Sequence, residues 1–170
     1  MNIQTPRLLL KPLSKQQLQA YILDDFSLEE SLNLICGSRT VSERVKSAIE
    51  TKIIPRLTEQ VPHDWYVTFW TVIYKEQQVM VADLCFKGEP NAQGEIEIGY
   101  GTYPDFQQQG FMTEAVEGII GWAFQQEGVN AILAETDPEN IASHRILEKN
   151  NFVIQCKTPD NIWRRLYKTE

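Results

Sequence analysis

The chain has few cysteines, a deficit of basic residues and no long hydrophobic run. None of its stretches approaches the roughly 18 consecutive apolar residues that a membrane-crossing helix requires, so no membrane partner is expected. Basic residues number 16 against 23 acidic ones, for a net charge of -7 and a pI of about 4.9. A nucleic-acid binder needs a basic footprint to displace phosphate counterions, and this composition weighs against that class. The three cysteines, Cys36, Cys85 and Cys156, are odd in number, far apart and without a C-x-x-C pair. They suit neither a disulfide framework nor a zinc site, and no metal is expected. A reducing compartment, the cytoplasm, is the expected location. The opening MNIQTPRLLLKPL is broken by Pro6 and Pro12, unlike a secretory leader. Repeats, low-complexity tracts and Pro/Gly-rich linkers are also missing, so a single domain over residues 1–170 is expected.

What is present is an alternation of strand and helix patterns. Arg7 to Leu13 reads as a strand, and Ser14 caps a helix through KQQLQAYILDD with Leu18, Ile22 and Tyr21 turned inward. Val45, Ala48, Ile49 and Ile53 give helical spacing from about Val41 to Ile54, ended by Pro55. Trp65 to Tyr74 is apolar on both alternating faces, as in a strand covered on both sides. Val79 to Phe86 and Glu95 to Tyr103 complete an antiparallel meander. Helices are expected over Gly110 to Glu127 and from Asp137–Pro138 to about Asn150, with a strand, Ala131 to Thr136, between them. FVIQC and IWRRLYK close the chain as strands. A strand–helix–strand order implies a parallel pair. The expected class is α/β (α+β): a mixed central sheet, mostly antiparallel, with one parallel strand–helix–strand crossover.

The stretch PDFQQQGFM, Pro104 to Met112, carries the clearest chemical signal. It leads from a strand into a helix, where unpaired N–H groups and the helix dipole together bind an anion without needing a cationic side chain. Gly110 lets the backbone approach the anion, and the glutamines add side-chain donors. The nucleotide P-loop and dinucleotide fingerprints are both lacking. A phosphate-binding regulatory domain is one reading of the loop taken alone.

In register, four motifs resemble the GNAT acyltransferase superfamily. QQQGFM resembles the family's Arg/Gln-x-x-Gly-x-Gly/Ala loop, and IEIGYGTYP its bulged cofactor strand. NIASHRILEKNNF resembles N-x-x-S-x-x-x-L-E-K-x-G-F, the second cofactor helix. TPRLLLKPL, with ADLCFKG, resembles the branch of the ribosomal-protein alanine acetyltransferases. The resemblance implies acetyl-CoA as co-substrate, its pyrophosphate held by Gln107, Gln108, Gln109, Gly110, Phe111, Met112 and Thr113. It implies that Gly101, Thr102 and Tyr103 meet the pantetheine arm, and that Asn140 holds a pantetheine amide. It implies an N-acetyltransferase acting by direct attack in a ternary complex on a small-molecule amine or a peptide or protein N-terminus, as monomer or homodimer. A CoA-binding or interaction module on the same fold is the alternative. Met112 departs from the small residue of the loop, and Asn151 replaces the usual Gly of the helix end. Leu147 stands where many members carry the tyrosine that protonates the leaving thiolate. Ser143, at the place where a serine approaches the sulfur in the ribosomal branch, is then the candidate acid.

Glu97, two residues before Gly99 and in parity with Gly101, is the candidate base, acting through water if the amine is distant. Glu95 is the weaker alternative. Asp83, interrupting an apolar strand, is a third carboxylate, paired with Lys87 or an arginine if it is only structural. His144 lies about 100° around the helix from Ser143 and reads as a surface residue. The acid excess favours cationic acceptors by steering.

Overall fold

The computed structural model describes residues 1–57 and 64–169; the rest of the expected 1–170 span lies outside the described residues. Eight strands form one sheet: β1 (Ile3–Gln4), β2 (Leu8–Pro12), β3 (Phe69–Tyr74), β4 (Val79–Phe86), β5 (Glu95–Thr102), β6 (Ala131–Thr136), β7 (Val153–Lys157) and β8 (Ile162–Tyr167). Their order is β1-β2-β3-β4-β5-β6-β8-β7. Among the described strands only the β5–β6 pair is parallel, as the sequence pattern required. No helix among the described residues is long and apolar enough to cross a membrane.

Helices cover both faces of the sheet. On one face lies α4 (Phe111–Ala123), whose Met112, Ala115, Val116 and Ile119 pack against Leu8, Leu10, Trp70, Leu84 and Ile96. Burying one such side chain contributes roughly 1.5–3 kcal/mol. Beside it lies α5 (Ile141–Lys149), anchored by the fully buried Leu147. The other face carries α1 (Lys15–Leu23), α2 (Ser27–Ser31) and α3 (Glu43–Ala48). There Leu18, Tyr21, Leu28 and Ile49 pack with Leu13, Ile73, Met80 and Tyr103. A capping box between Ser14 and Gln17 starts α1, and Asp24 ends it in the left-handed region at φ 55°.

Three expectations are corrected. The strand expected over Trp65–Tyr74 begins at Phe69. Trp65 and Tyr66 lie in a 3₁₀ turn and bring both rings to Trp122, at 5.7 and 5.6 Å. Successive strand residues face opposite ways, so a strand could not do this. The helix expected over Val41–Ile54 is α only to Ala48, then widens into a π turn (Ile49–Ile53) and tightens into a 3₁₀ turn (Ile54–Arg56). Pro55 lacks the N–H that an α ladder needs, and its ring crowds the preceding turn. The start expected at Asp137–Pro138 is a separate turn held by the Asp137 carboxylate, and α5 begins only after Asn140. The short α2 was not anticipated; five residues give too little periodicity to read.

Candidate functional site

β5 opens the site. It pairs with β6 only through Glu95↔Ala131, Ile96↔Ile132 and Glu97↔Leu133, and then the two strands part. From Ile98 to Thr102, β5 stays bonded to β4 alone, while β6 continues along β8. The edge of β5 facing β6 is therefore unpaired over the stretch that carries Gly99 and Gly101. A Cβ built on Gly101 meets nothing within 4 Å.

The opened strand runs through the turn Pro104–Phe106 into the glutamine loop. Gln108 and Gly110 take positive φ, 60° and 77°, and Gly110 serves as the N-cap of α4 without a side-chain cap. Among the described residues, no protein group accepts from the N–H groups of residues 108–113. Six consecutive donors at a helix N-terminus fit a diphosphate by number and charge. Phe111 and Met112 are buried, so the bulk of Met112 departs into the core, away from the loop. The glutamines behave differently from expectation. The Gln107 and Gln109 amides donate to the carbonyls of Thr102 and Asp105, which fixes the loop instead of extending donors outward. The loop also has a cation that its own sequence lacks. Arg7, beside β2, donates to the Gln109 carbonyl at 3.1 Å and lies over the Phe111 ring at 4.8 Å. Its Nε pairs with Glu114 of α4 at 2.6 Å, and Thr5 joins the same carboxylate.

Asn140 caps α5, its Oδ1 accepting from the Ser143 N–H at 3.0 Å. Ser143 is buried, and its Oγ lies 2.8 Å from the Tyr100 hydroxyl. Tyr100 comes from the opened part of β5, so this contact bridges to α5 beside the parting strands. Burial pushes the Tyr100 phenol up to about 12, against the lowering effects of the Ser143 hydrogen bond and Arg164. Leu147 is fully enclosed. His144 is exposed and bonds the Asp137 carbonyl.

The carboxylates lie on the opposite face. Glu97, at the point where the strands part, pairs with Lys87, which also reaches Glu135 of β6 at 3.5 Å. Glu95 is held by Arg165 at 2.5 Å and by Asn91. Asp83 is paired with neither Lys87 nor an arginine, contrary to its structural expectation. Its Oδ2 accepts from the hydroxyls of Tyr21, at 2.7 Å, and Tyr103, at 2.6 Å. The Tyr103 side chain is thus turned away from the β5 edge. Burial pushes the Asp83 carboxyl up to about 6, against the lowering effects of the two hydroxyls and Arg39.

This raised value has a stability consequence. The folded state holds the Asp83 proton more tightly than the unfolded chain, whose value is 3.8. The contribution is complete below the unfolded value and is lost as pH rises through about 6. The loss is on the order of 3 kcal/mol, at about 1.4 kcal/mol per pH unit. Asp83→Asn keeps an oxygen for both tyrosines and removes the charge. It is expected to raise the melting temperature at pH 7.5 and to flatten the stability profile between pH 4 and 7, measured by calorimetric scans.

The three cysteines are free, and Cys85 faces Gly99, with its thiol pushed up to about 11 by burial. No group of three or more metal-ligating side chains occurs among the described residues.

Residues 7–153 match the family profile described as an acetyltransferase (GNAT) domain. The N-acetyltransferase YjdG of Bacillus subtilis (strain 168), itself uncharacterized, is 32% identical over 91 residues, which is 54% of this chain and 54% of that protein. Among solved structures, the ribosomal L7/L12 alpha-N-protein acetyltransferase RimL in complex with coenzyme A superposes with a TM-score of 0.69 at 15% identity, covering 98% of both chains. The ribosomal-protein-S5-alanine acetyltransferase of Vibrio fischeri gives 0.66 at 14% identity, over 98% of this chain and 96% of that one. With the profile matched over most of its length, the chain belongs to the GNAT acetyltransferase family.

Proposed function

We propose that the protein is an acetyl-CoA-dependent N-acetyltransferase that moves an acetyl group to a primary amine by direct attack in a ternary complex. The observation that carries this reading is the unpaired β5 edge running directly into six free N–H groups at the start of α4. The loop Gln107–Thr113 takes the diphosphate through its backbone, with Arg7 adding positive charge at its rim. Thr102 offers backbone groups to the pantetheine arm, Gly101 beside it pairs its own with β4 and adds no side chain, and Asn140 and Ser143 face the arm from α5. Tyr103 is not free to meet the arm, because its side chain serves Asp83 and its N–H and carbonyl bond Val81 and Phe106. Glu97 accepts the acceptor's proton through water. Ser143, oriented by Tyr100, donates a hydrogen bond to the departing sulfur. The acceptors named for the ribosomal-protein enzymes of like fold support a peptide or protein N-terminus, with a small amine as the other member of the class. The unpaired cysteines support the cytoplasm as location.

Calorimetry with acetyl-CoA and thiol release with a panel of amines test this reading. Heat of binding together with amine-dependent release is the expected result. Binding without release from any amine moves the protein to the alternative, a CoA-binding module, which the enclosed Leu147 in place of a phenol favours.

The leaving-group side should be sensitive only modestly. A thiol has an ordinary pKa near 8.5, so its thiolate leaves without a strong acid. Ser143→Ala and Tyr100→Phe are expected to lower turnover by less than Glu97→Gln, with acetyl-CoA affinity nearly unchanged. Leu147→Tyr is expected to destabilise by about 1–3 kcal/mol through overpacking and to give no gain in turnover. Steady-state kinetics on one amine, with melting curves, decide both points.

A further inference from the structure

We propose that Asp83 is the seat of the acceptor's protonated amine, so that the site selects cationic acceptors; this rests on the acetyltransferase reading above. Asp83 belongs to a buried polar chain that crosses five parts of the fold. Glu29 of α2 pairs with Arg39 at 3.0 Å, and Arg39 donates to the Tyr21 carbonyl at 2.7 Å. The Arg39 guanidinium also lies over the Tyr21 ring at 4.6 Å, and Tyr21 reaches Asp83. Tyr103, at the end of β5, reaches the same Asp83 oxygen. With both acids ionised, the chain holds two carboxylates and one guanidinium, leaving one buried negative charge unbalanced.

The other Asp83 oxygen, Oδ1, is buried and has no partner among the described residues. Thr71, directly across β3 from Asp83, has its Oγ1 buried and unpartnered in the same way. The next residue in the row, on β5, is Gly101, at the open edge with free space where a side chain would be. Asp83 therefore adjoins the floor formed by Gly99 and Gly101, and Glu97 stands at the far end of that floor. An ammonium supplies what the cluster lacks, a positive charge and N–H donors for Oδ1. The division of labour is that Asp83 attracts and orients the amine, while Glu97 receives its proton. The other polar groups facing Asp83 are already engaged or neutral: the two tyrosines, Arg39 with Glu29, and the Cys85 thiol. A purely structural carboxylate here would do better as an amide, which keeps the tyrosine bonds without the buried charge.

Two measurements test this. The first uses the wild-type chain and does not depend on acetyl-CoA. The assigned Asp83 carboxyl carbon is titrated by carbon-13 NMR with ethylammonium chloride and, separately, with tetramethylammonium chloride, which has the charge but no N–H. A lower midpoint with ethylammonium only is expected. Equal midpoints in the two salts overturn the proposal and leave Oδ1 and Thr71 to a structural water. The second uses ethylamine as acceptor. Asp83→Asn is expected to raise the half-saturating amine concentration at least tenfold, with acetyl-CoA affinity within twofold of wild type. An unchanged amine dependence overturns the proposal. If wild type fails to bind acetyl-CoA, the functional reading falls, while the NMR titration still decides the role of Asp83.

Discussion

Glu97→Gln is expected to lower acetyl transfer by roughly 10²-fold or more, while acetyl-CoA binds as before. An attacking amine must lose a proton, and an amide of the same shape cannot accept one. Glu97 is placed for this role at the last β5 residue paired with β6, beside the glycine floor. Its reach is long: Gly101 lies four residue steps along the strand, about 13 Å at roughly 3.3 Å each. A water relay is therefore part of the expectation. The Lys87 contact does not remove Glu97 from service. The lysine side chain is 47% exposed and shared with Glu135, and exposed pairs of this kind are worth about 0–1 kcal/mol. Substitution of Glu97 should consequently leave the melting temperature nearly unchanged, which separates a chemical effect from unfolding. The comparison to make is turnover of wild type and Glu97→Gln on one amine at saturating acetyl-CoA. Equal turnover would hand the proton to Asp83 or bulk water.

Gly110→Val is expected to weaken acetyl-CoA binding at least tenfold, about 1.4 kcal/mol. Gly110 sits at φ 77°, a left-handed conformation that a β-branched residue adopts only with strain. The space around it is not the obstacle in the free chain. A Cβ there meets only the Arg7 guanidinium, at 3.5 Å, the far end of a flexible side chain. The fold should survive, because α4 is held by its buried stripe and by the Glu114 contacts to Thr5 and Arg7. What changes is the approach to the N–H groups, which a valine side chain and an altered backbone both obstruct. Calorimetric titration with acetyl-CoA reads the effect. Affinity equal to wild type in a folded variant would remove the loop from the site.

Much of the frame was legible because it depends on neighbours in sequence. Strand alternation, the helical stripe from Met112 to Ala123 and the Asn151 turn at φ 62° are local consequences of residue type. So is the run of free N–H groups at the start of α4, since the first N–H groups of any helix lack an intrahelical acceptor and Gly110 brings no capping side chain. The Trp65–Tyr74 expectation failed for a complementary reason. Local pattern favoured a strand, but Trp122, far along the chain, gave Trp65 and Tyr66 a common partner.

Tertiary structure alone decided which polar groups meet. Arg7 reaches Gln109 across 102 positions, Tyr21 reaches Asp83 across 62 and Tyr100 reaches Ser143 across 43. Periodicity carries no information about such pairs, because each partner satisfies its own strand or helix pattern whether or not the other is there. Asp83 shows the limit most clearly. The sequence marks it as an acid within an apolar strand, but only the packing of α1 and the end of β5 against β4 encloses it, gives one oxygen two phenols and leaves the other without a partner.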